Sequence, residues 1–157
     1  MTNNDILRKL RYIFDLSDQE MIEVFGEAEV EVDRSQVSAW LKGDEAPGFY
    51  ECSDVMLANF LNGFINGRRG RRDGPLPEPE KRLSNNVIFR KLKIALNLQA
   101  EEVLELLEEG GIRLSKHELS AFFRKPDHKQ HYRECKDQVL RKFLQGLQAR
   151  VRPSSEP

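Results

Sequence analysis

Residues 3–16 read NNDILRKLRYIFDL, and residues 85–98 read NNVIFRKLKIALNL. Such a long echo, displaced by 82 positions, points to an internal repeat, and the neighbouring segments extend it. The same displacement pairs Glu20 with Glu102, Glu23 with Glu105, Ser38-Ala39 with Ser120-Ala121, and Trp40 with Phe122. After Tyr50 and Tyr132 the second copy gains one residue, and ECSDVMLANFLNGF then answers to ECKDQVLRKFLQGL. The chain therefore reads as a tandem duplication. Its parts are repeat 1 over 1–67, a linker rich in Arg, Pro and Gly over 68–82, repeat 2 over 83–152, and a tail at 153–157 expected to be disordered.

Each repeat predicts four short helices. Ile6, Leu7, Leu10, Ile13 and Phe14 recur at helical spacing, as do Ile88, Phe89, Leu92, Ala95 and Leu96. A second helix starts at Ser17, where Glu20 completes a capping box, and is expected to bury Met21, Ile22, Val24 and Phe25. Its counterpart offers Val103, Leu104, Leu106 and Leu107. The third helix lies in VDRSQVSAWLKGD, residues 32–44, with Asp33 and Gln36 at capping-box spacing and Val37, Trp40 and Leu41 on one face. Ser115 and Glu118 repeat that spacing, and Pro126 helps to end the twin helix. A fourth helix after Asp54 sets Leu57, Phe60, Leu61 and Phe64 against Leu140, Phe143, Leu144 and Leu147 of the helix after Asp137. Gly63 and Gly146 interrupt these last helices at equivalent places, which predicts a close helix crossing. No alternating β-branched segment competes, so the class is all-α: two tandem four-helix, helix-turn-helix-like repeats.

The formal net charge of −1 hides a split. Repeat 1 carries −8, the linker +3 and the remainder +4, so any partner attracted by charge sees two different surfaces. No apolar run approaches the ~20 residues that span a bilayer. The first ten residues, MTNNDILRKL, lack the order of a signal peptide, and the expectation is a cytoplasmic protein without membrane contact. Two cysteines make no disulfide framework.

NNDILRKLRY, the SAWLK segment, YECSD and FLNG, with their second copies, resemble a bacterial family of unknown function typified by the enterobacterial protein YehS. The resemblance covers all but the Arg-rich linker and the PSSEP tail, and it implies no activity, cofactor or site. ILRKLRYIFDLSDQEM followed by VSAWLKG also resembles, more loosely, the lambda-repressor-like helix-turn-helix domains. The second repeat departs from that pattern, with Phe122 for the Trp and no matching glycine.

A recognition helix needs exposed donors or amides for base edges. Repeat 1 offers Arg34, Ser35, Gln36 and Ala39, but Glu27, Glu29, Glu31, Asp44 and Glu45 around them would repel phosphate. The candidates for nucleic-acid contact are therefore Arg68, Arg69, Arg71 and Arg72 of the linker, with Lys116, Arg124, Lys125 and Lys129 of repeat 2. The competing reading makes the linker arginines answer the acidic first repeat.

Cys52 and Cys135 share a Glu-Cys-x-Asp setting, which fits a small buried residue ahead of a helix better than a reactive thiol. His128, His131 and Cys135 are spaced as ligands could be, but Ala46 and Phe49 replace the histidines in repeat 1 and a structural zinc needs about four ligands. Glu20, Glu23, Glu102 and Glu105 read as capping and solvated residues. No phosphate-cradling loop, HExxH or Gly-x-Ser-x-Gly elbow is present. No catalytic residue, metal or cofactor is thus expected. The expectation is a non-catalytic binding module with a protein partner. The alternative is a nucleic-acid-binding regulator using repeat 2 and the linker, and a homo-oligomer stays open.

Overall fold

A computed structural model describes residues 1–127 and 131–153. Among these residues the regular structure is helical throughout: α1 Asn3–Ile13, α2 Asp18–Glu27, α3 Arg34–Leu41, α4 Asp54–Arg69, α5 Asn85–Ala95, α6 Ala100–Glu109, α7 Lys116–Ala121 and α8 Asp137–Val151. The chain divides into two compact units, Met1–Leu83 and Ser84–Pro157, each holding one set of four helices. The tail positions 154–157 lie outside the described residues.

The helices start where the caps require. Ser17, Asp33 and Ser115 each accept a hydrogen bond from the backbone N–H three residues on, and Glu20, Gln36 and Glu118 reach back to the cap's own N–H. Each box satisfies two donors that a helix start would otherwise leave orphaned. Thr2 and Asp5 form a further box ahead of α1. Asp15 and Asn97 turn the chain with positive φ after α1 and α5, and Glu29 and Gly111 do so after α2 and α6. Non-glycine residues enter that region at a cost, and recurrence at matching places marks the turns as part of the repeat.

The cores are alike in plan and exchanged in detail. In the first unit Phe25 of α2 meets Trp40 of α3 (ring centroids 5.4 Å) and Phe60 of α4 (5.3 Å). In the second the central ring is Phe89 of α5, which meets Phe122 (6.3 Å) and Phe143 of α8 (4.8 Å). Phe25 aligns with Leu107, and Leu7 with Phe89. A large residue has moved from the second helix to the first, conserving core volume as tolerated exchanges do. Gly63 and Gly146 hold the crossings: a Cβ at Gly63 would fall on the Val24 carbonyl oxygen, and one at Gly146 on that of Leu106.

Burial in the second helices is narrower than the sequence suggests. Met21 and Phe25 are buried, whereas Ile22 and Val24 are half-exposed, as is Leu104 in α6. Leu41 of α3 is likewise half-exposed. With ten residues each, α2 and α6 present only about one stripe to their neighbours. Helix α4 also runs two residues past the expected start of the linker, carrying Arg68 and Arg69 in its last turn.

The repeated Asn-Asn has a structural cause. Asn4 is 1% exposed; its Nδ2 donates to the carbonyls of Trp40 and Tyr50 (both 2.9 Å), and its Oδ1 accepts from the Cys52 N–H (3.0 Å). Asn86 repeats this with Phe122 (2.9 Å), Arg133 (2.8 Å) and Cys135 (2.9 Å). Asn3 and Asn85 donate to the cysteine carbonyls and to Asp54 and Asp137. Each amide pair thereby fastens the loop between third and fourth helices, replacing hydrogen bonds that buried backbone must make somewhere. The bonds also set the register. Tyr50 N donates to Ala39 O and Arg133 N to Ala121 O, so Tyr50 corresponds to Arg133 and the extra residue of repeat 2 comes before position 133.

Candidate functional site

The strongest candidate surface forms where α3 meets the fastened loop. Val37 and Trp40 turn inward, which leaves Ser35, Gln36 and Ala39 along the outer side of α3. Those three, with an edge of Trp40, Gly48 and Tyr50, line a groove of about 310 Å³. Trp40 is only 4% exposed and anchors the floor, while Tyr50 stands 69% exposed at the rim. Its backbone is held by Asn4 and Ala39, so the exposed ring is carried on a fixed support.

Acids flank this groove. Asp33 opens α3, Asp44 and Glu45 occupy the following loop, and Glu51 succeeds Tyr50, all of them exposed. Of the local cations, Arg34 in the first turn of α3 is exposed. Arg8 donates to the Lys42 carbonyl (2.6 Å) and pairs with Asp5 (2.7 Å) and Asp44 (3.1 Å), while Lys42 Nζ donates to the Pro47 carbonyl (3.3 Å). Around the groove the exposed acids Asp33, Asp44, Glu45 and Glu51 thus stand against the exposed cations Arg34 and Lys42. Nothing in it supplies a nucleophile with its base.

The second unit carries a different residue at this place. Arg133, in the position of Tyr50, lays its guanidinium 5.5 Å from the centroid of Phe122 and 3.7 Å from Glu118, the residue matching Gln36. A cation over an aromatic face is an attractive pair.

The residues singled out for nucleic acid divide between the two units. Arg68 lies over the rings of Phe14 (5.4 Å) and Phe64 (5.3 Å). Arg71 pairs with Glu29 (3.0 Å) and Glu27 (3.7 Å) and donates to the Gly26 carbonyl (3.3 Å). Of the four linker arginines, Arg71 thus pairs with acids of the first repeat, Arg68 lies on its phenylalanines, and Arg69 and Arg72 are exposed. In the second unit Lys116 pairs with Glu101, holding that carboxyl below its usual range, and Arg124 and Lys125 are exposed. Lys129 and His128 lie outside the described residues.

Cys52 and Cys135 are buried free thiols. Burial, reinforced by Asp54 and Asp137 respectively, pushes each up to about 12, the opposite of what a reactive thiolate requires. Among the described residues no group of three His, Cys, Asp or Glu side chains gathers as a metal site. Glu20 serves the α2 cap, and Glu105 pairs with Arg150 (3.6 Å). Among the described residues no helix is long and apolar enough to cross a membrane.

The duplication is matched from outside the chain as well. A family model described as protein of unknown function (DUF1456) matches twice, over residues 3–70 and 85–152. The chain belongs to that family. It is also 42% identical over 151 residues to a protein of Escherichia coli strain K12 described as uncharacterized protein YehS, a match covering 96% of each chain. No solved structure matches significantly. The two family segments coincide with the two four-helix sets, so the family unit is one repeat and this chain carries two.

Proposed function

We propose that the chain is a non-catalytic protein-interaction module whose first unit receives a basic segment of a protein partner in the α3 groove. One observation carries this reading: the groove over Trp40 has exposed acids beside its lining residues in the first unit, whereas Arg133, over Phe122 and near Glu118, stands at the position of Tyr50 in the second. An incoming cationic or apolar side chain would do for Trp40 and Tyr50 what Arg133 does for Phe122. Rigid aromatics partly exposed beside a pocket are the usual anchors of protein interfaces. The helix-turn-helix likeness is then one of helix order, with the third helix offering a groove.

A photo-crosslinker placed at Gln36, on the groove's exposed rim, tests this in nuclease-treated bacterial extract. The expected result is a discrete protein adduct that survives nuclease and is lost in Tyr50→Ala. Adducts that vanish with nuclease would overturn the reading. Micromolar binding of labelled duplex by the full chain, falling with a log–log salt slope of about −0.9 per neutralised phosphate, would establish the nucleic-acid alternative instead.

A further inference from the structure

The chain that follows α4 is fastened to the first unit at both ends, and that compact unit itself extends to Leu83. Gly70 leaves the helix with a φ of +84°. Arg71 then folds back onto the end of α2, where it meets Glu29 (3.0 Å), Glu27 (3.7 Å) and the Gly26 carbonyl (3.3 Å). At the other end the Leu83 N–H donates to Asp54 Oδ2 (2.9 Å), whose Oδ1 accepts from Asn3 (2.8 Å). Asp54 opens α4 and Arg69 closes it, so residues 70–83 return from the end of that helix to its start, about 24 Å away. Leu76, Pro79, Glu80 and Leu83 of the returning segment are half-buried.

Two differences from the second unit single out the Arg71 end. There Arg150 meets Glu109 (2.8 Å) and Glu105 (3.6 Å) from inside α8. Glu109 aligns with Glu27 and Arg150 with Gly67, so the first unit draws the corresponding arginine from beyond its helix. The other difference is a strained residue. Glu29 holds a φ of +59° in the turn after α2, where the second unit has Gly111 at +100° with the same backbone hydrogen bonds. Asp15 and Asn97 also have positive φ but are of the types that tolerate it, whereas a glutamate enters that region only at a cost. Strain kept where a glycine would relieve it points to a task outside the turn. Here the strained residue makes the shorter of the two carboxylate contacts to Arg71.

We infer that residues 70–83 are a charge-latched strap of the first unit: Arg71 on Glu29 closes it, and loss or screening of that contact frees the segment as a tether. Each exposed ion pair is weak by itself, so the latch governs local opening of the strap and not unfolding of the unit. Ionic strength is its control, because partly exposed charges are screened as the Debye length shrinks. The strap uses none of the α3-groove residues, so either reading can fail alone.

Nitrogen-15 relaxation of the arginine side chains in the labelled full chain, together with limited trypsin digestion, tests the latch. At low salt the Arg71 Nε–H should be more ordered than those of Arg69 and Arg72, and trypsin should cut after Arg72 faster than after Arg71. Glu29→Gln keeps the strained turn and removes the charge. It should bring Arg71 to the mobility of Arg72 and speed cleavage after Arg71, relative to Arg72, about threefold or more. Glu29→Gly, the residue of the second unit, should loosen the strap equally without lowering the thermal midpoint. Raising sodium chloride from about 0.01 M to about 1 M, which shortens the screening length from about 30 to about 3 Å, should loosen it in the unaltered chain and much less in Glu29→Gln. An Arg71 as mobile as Arg72 at low salt, variants that leave order and cleavage unchanged, insensitivity to salt, or a midpoint lowered by Glu29→Gly would each overturn the proposal.

Discussion

Two residues of the first unit carry consequences out of proportion to their size. Asn4 supplies two donors and an acceptor to backbone groups sealed from water, and no hydrophobic residue of similar volume can replace them. Asn4→Leu should cost at least about 3 kcal/mol, because it leaves several buried partners unsatisfied at once. Asn4→Asp should fare little better, since a carboxylate cannot donate to the Trp40 and Tyr50 carbonyls. Urea unfolding of both variants checks this; a loss confined to the leucine variant would mean that donation is unimportant. Trp40 is the other. Its ring is buried against Phe25, so Trp40→Ala should lower stability by about 3–5 kcal/mol, read from the same unfolding curves. An unchanged midpoint would show that the indole does not belong to the core.

At the scale of the element, reciprocal caps start α1, α2, α3 and α7. The Ser17 backbone N–H holds the Glu20 carboxyl below its usual range, and the Ser115 backbone N–H does the same for Glu118. The backbone N–H of Thr2 lowers Asp5, with Arg8 adding to the effect. A depressed folded-state pKa means stabilisation that is complete above the unfolded value and lost as pH falls through the folded one. Thermal midpoints should therefore hold steady near neutrality and decline below the ordinary carboxylate range. Glu20→Gln should flatten part of that decline, because an amide keeps the reach of the cap without titrating. A midpoint that rises on acidification would contradict the capping account. The thiols, both pushed up to about 12, contribute nothing in this window.

On the scale of the whole molecule, duplication followed by divergence is the main theme. The units share caps, positive-φ turns, asparagine clamps and glycine crossings, and they differ where Arg133 and Arg150 stand in one and Tyr50 and Gly67 in the other. These exchanges put arginines paired with its own glutamates in the second unit, where the first, carrying −8, has Tyr50 and Gly67. Each unit also closes its own core, since Phe89, Phe122 and Phe143 pack together and Asn86 clamps its own loop. A fragment of residues 84–157 should therefore melt cooperatively by circular dichroism, with dispersed amide resonances. A molten, non-cooperative fragment would show that the second core needs the first.

The repeat, the helix starts and the glycine crossings were determined by the sequence alone, because each depends on spacing along one chain. A capping box is a three-residue interval, and an amphipathic stripe is a periodicity. The Asn-Asn pairs were visible as a repeated motif, but their purpose was not, since their partners lie 36 to 52 residues away. Likewise the linker arginines read as one basic cluster until Arg68 was seen over two phenylalanines and Arg71 against Glu27 and Glu29. Tyr50 aligned with Tyr132 by letters and with Arg133 by hydrogen bonds. Only the tertiary structure decides such matters, because which side chain covers which groove depends on the packing of segments distant in sequence, and neither composition nor periodicity encodes that distance.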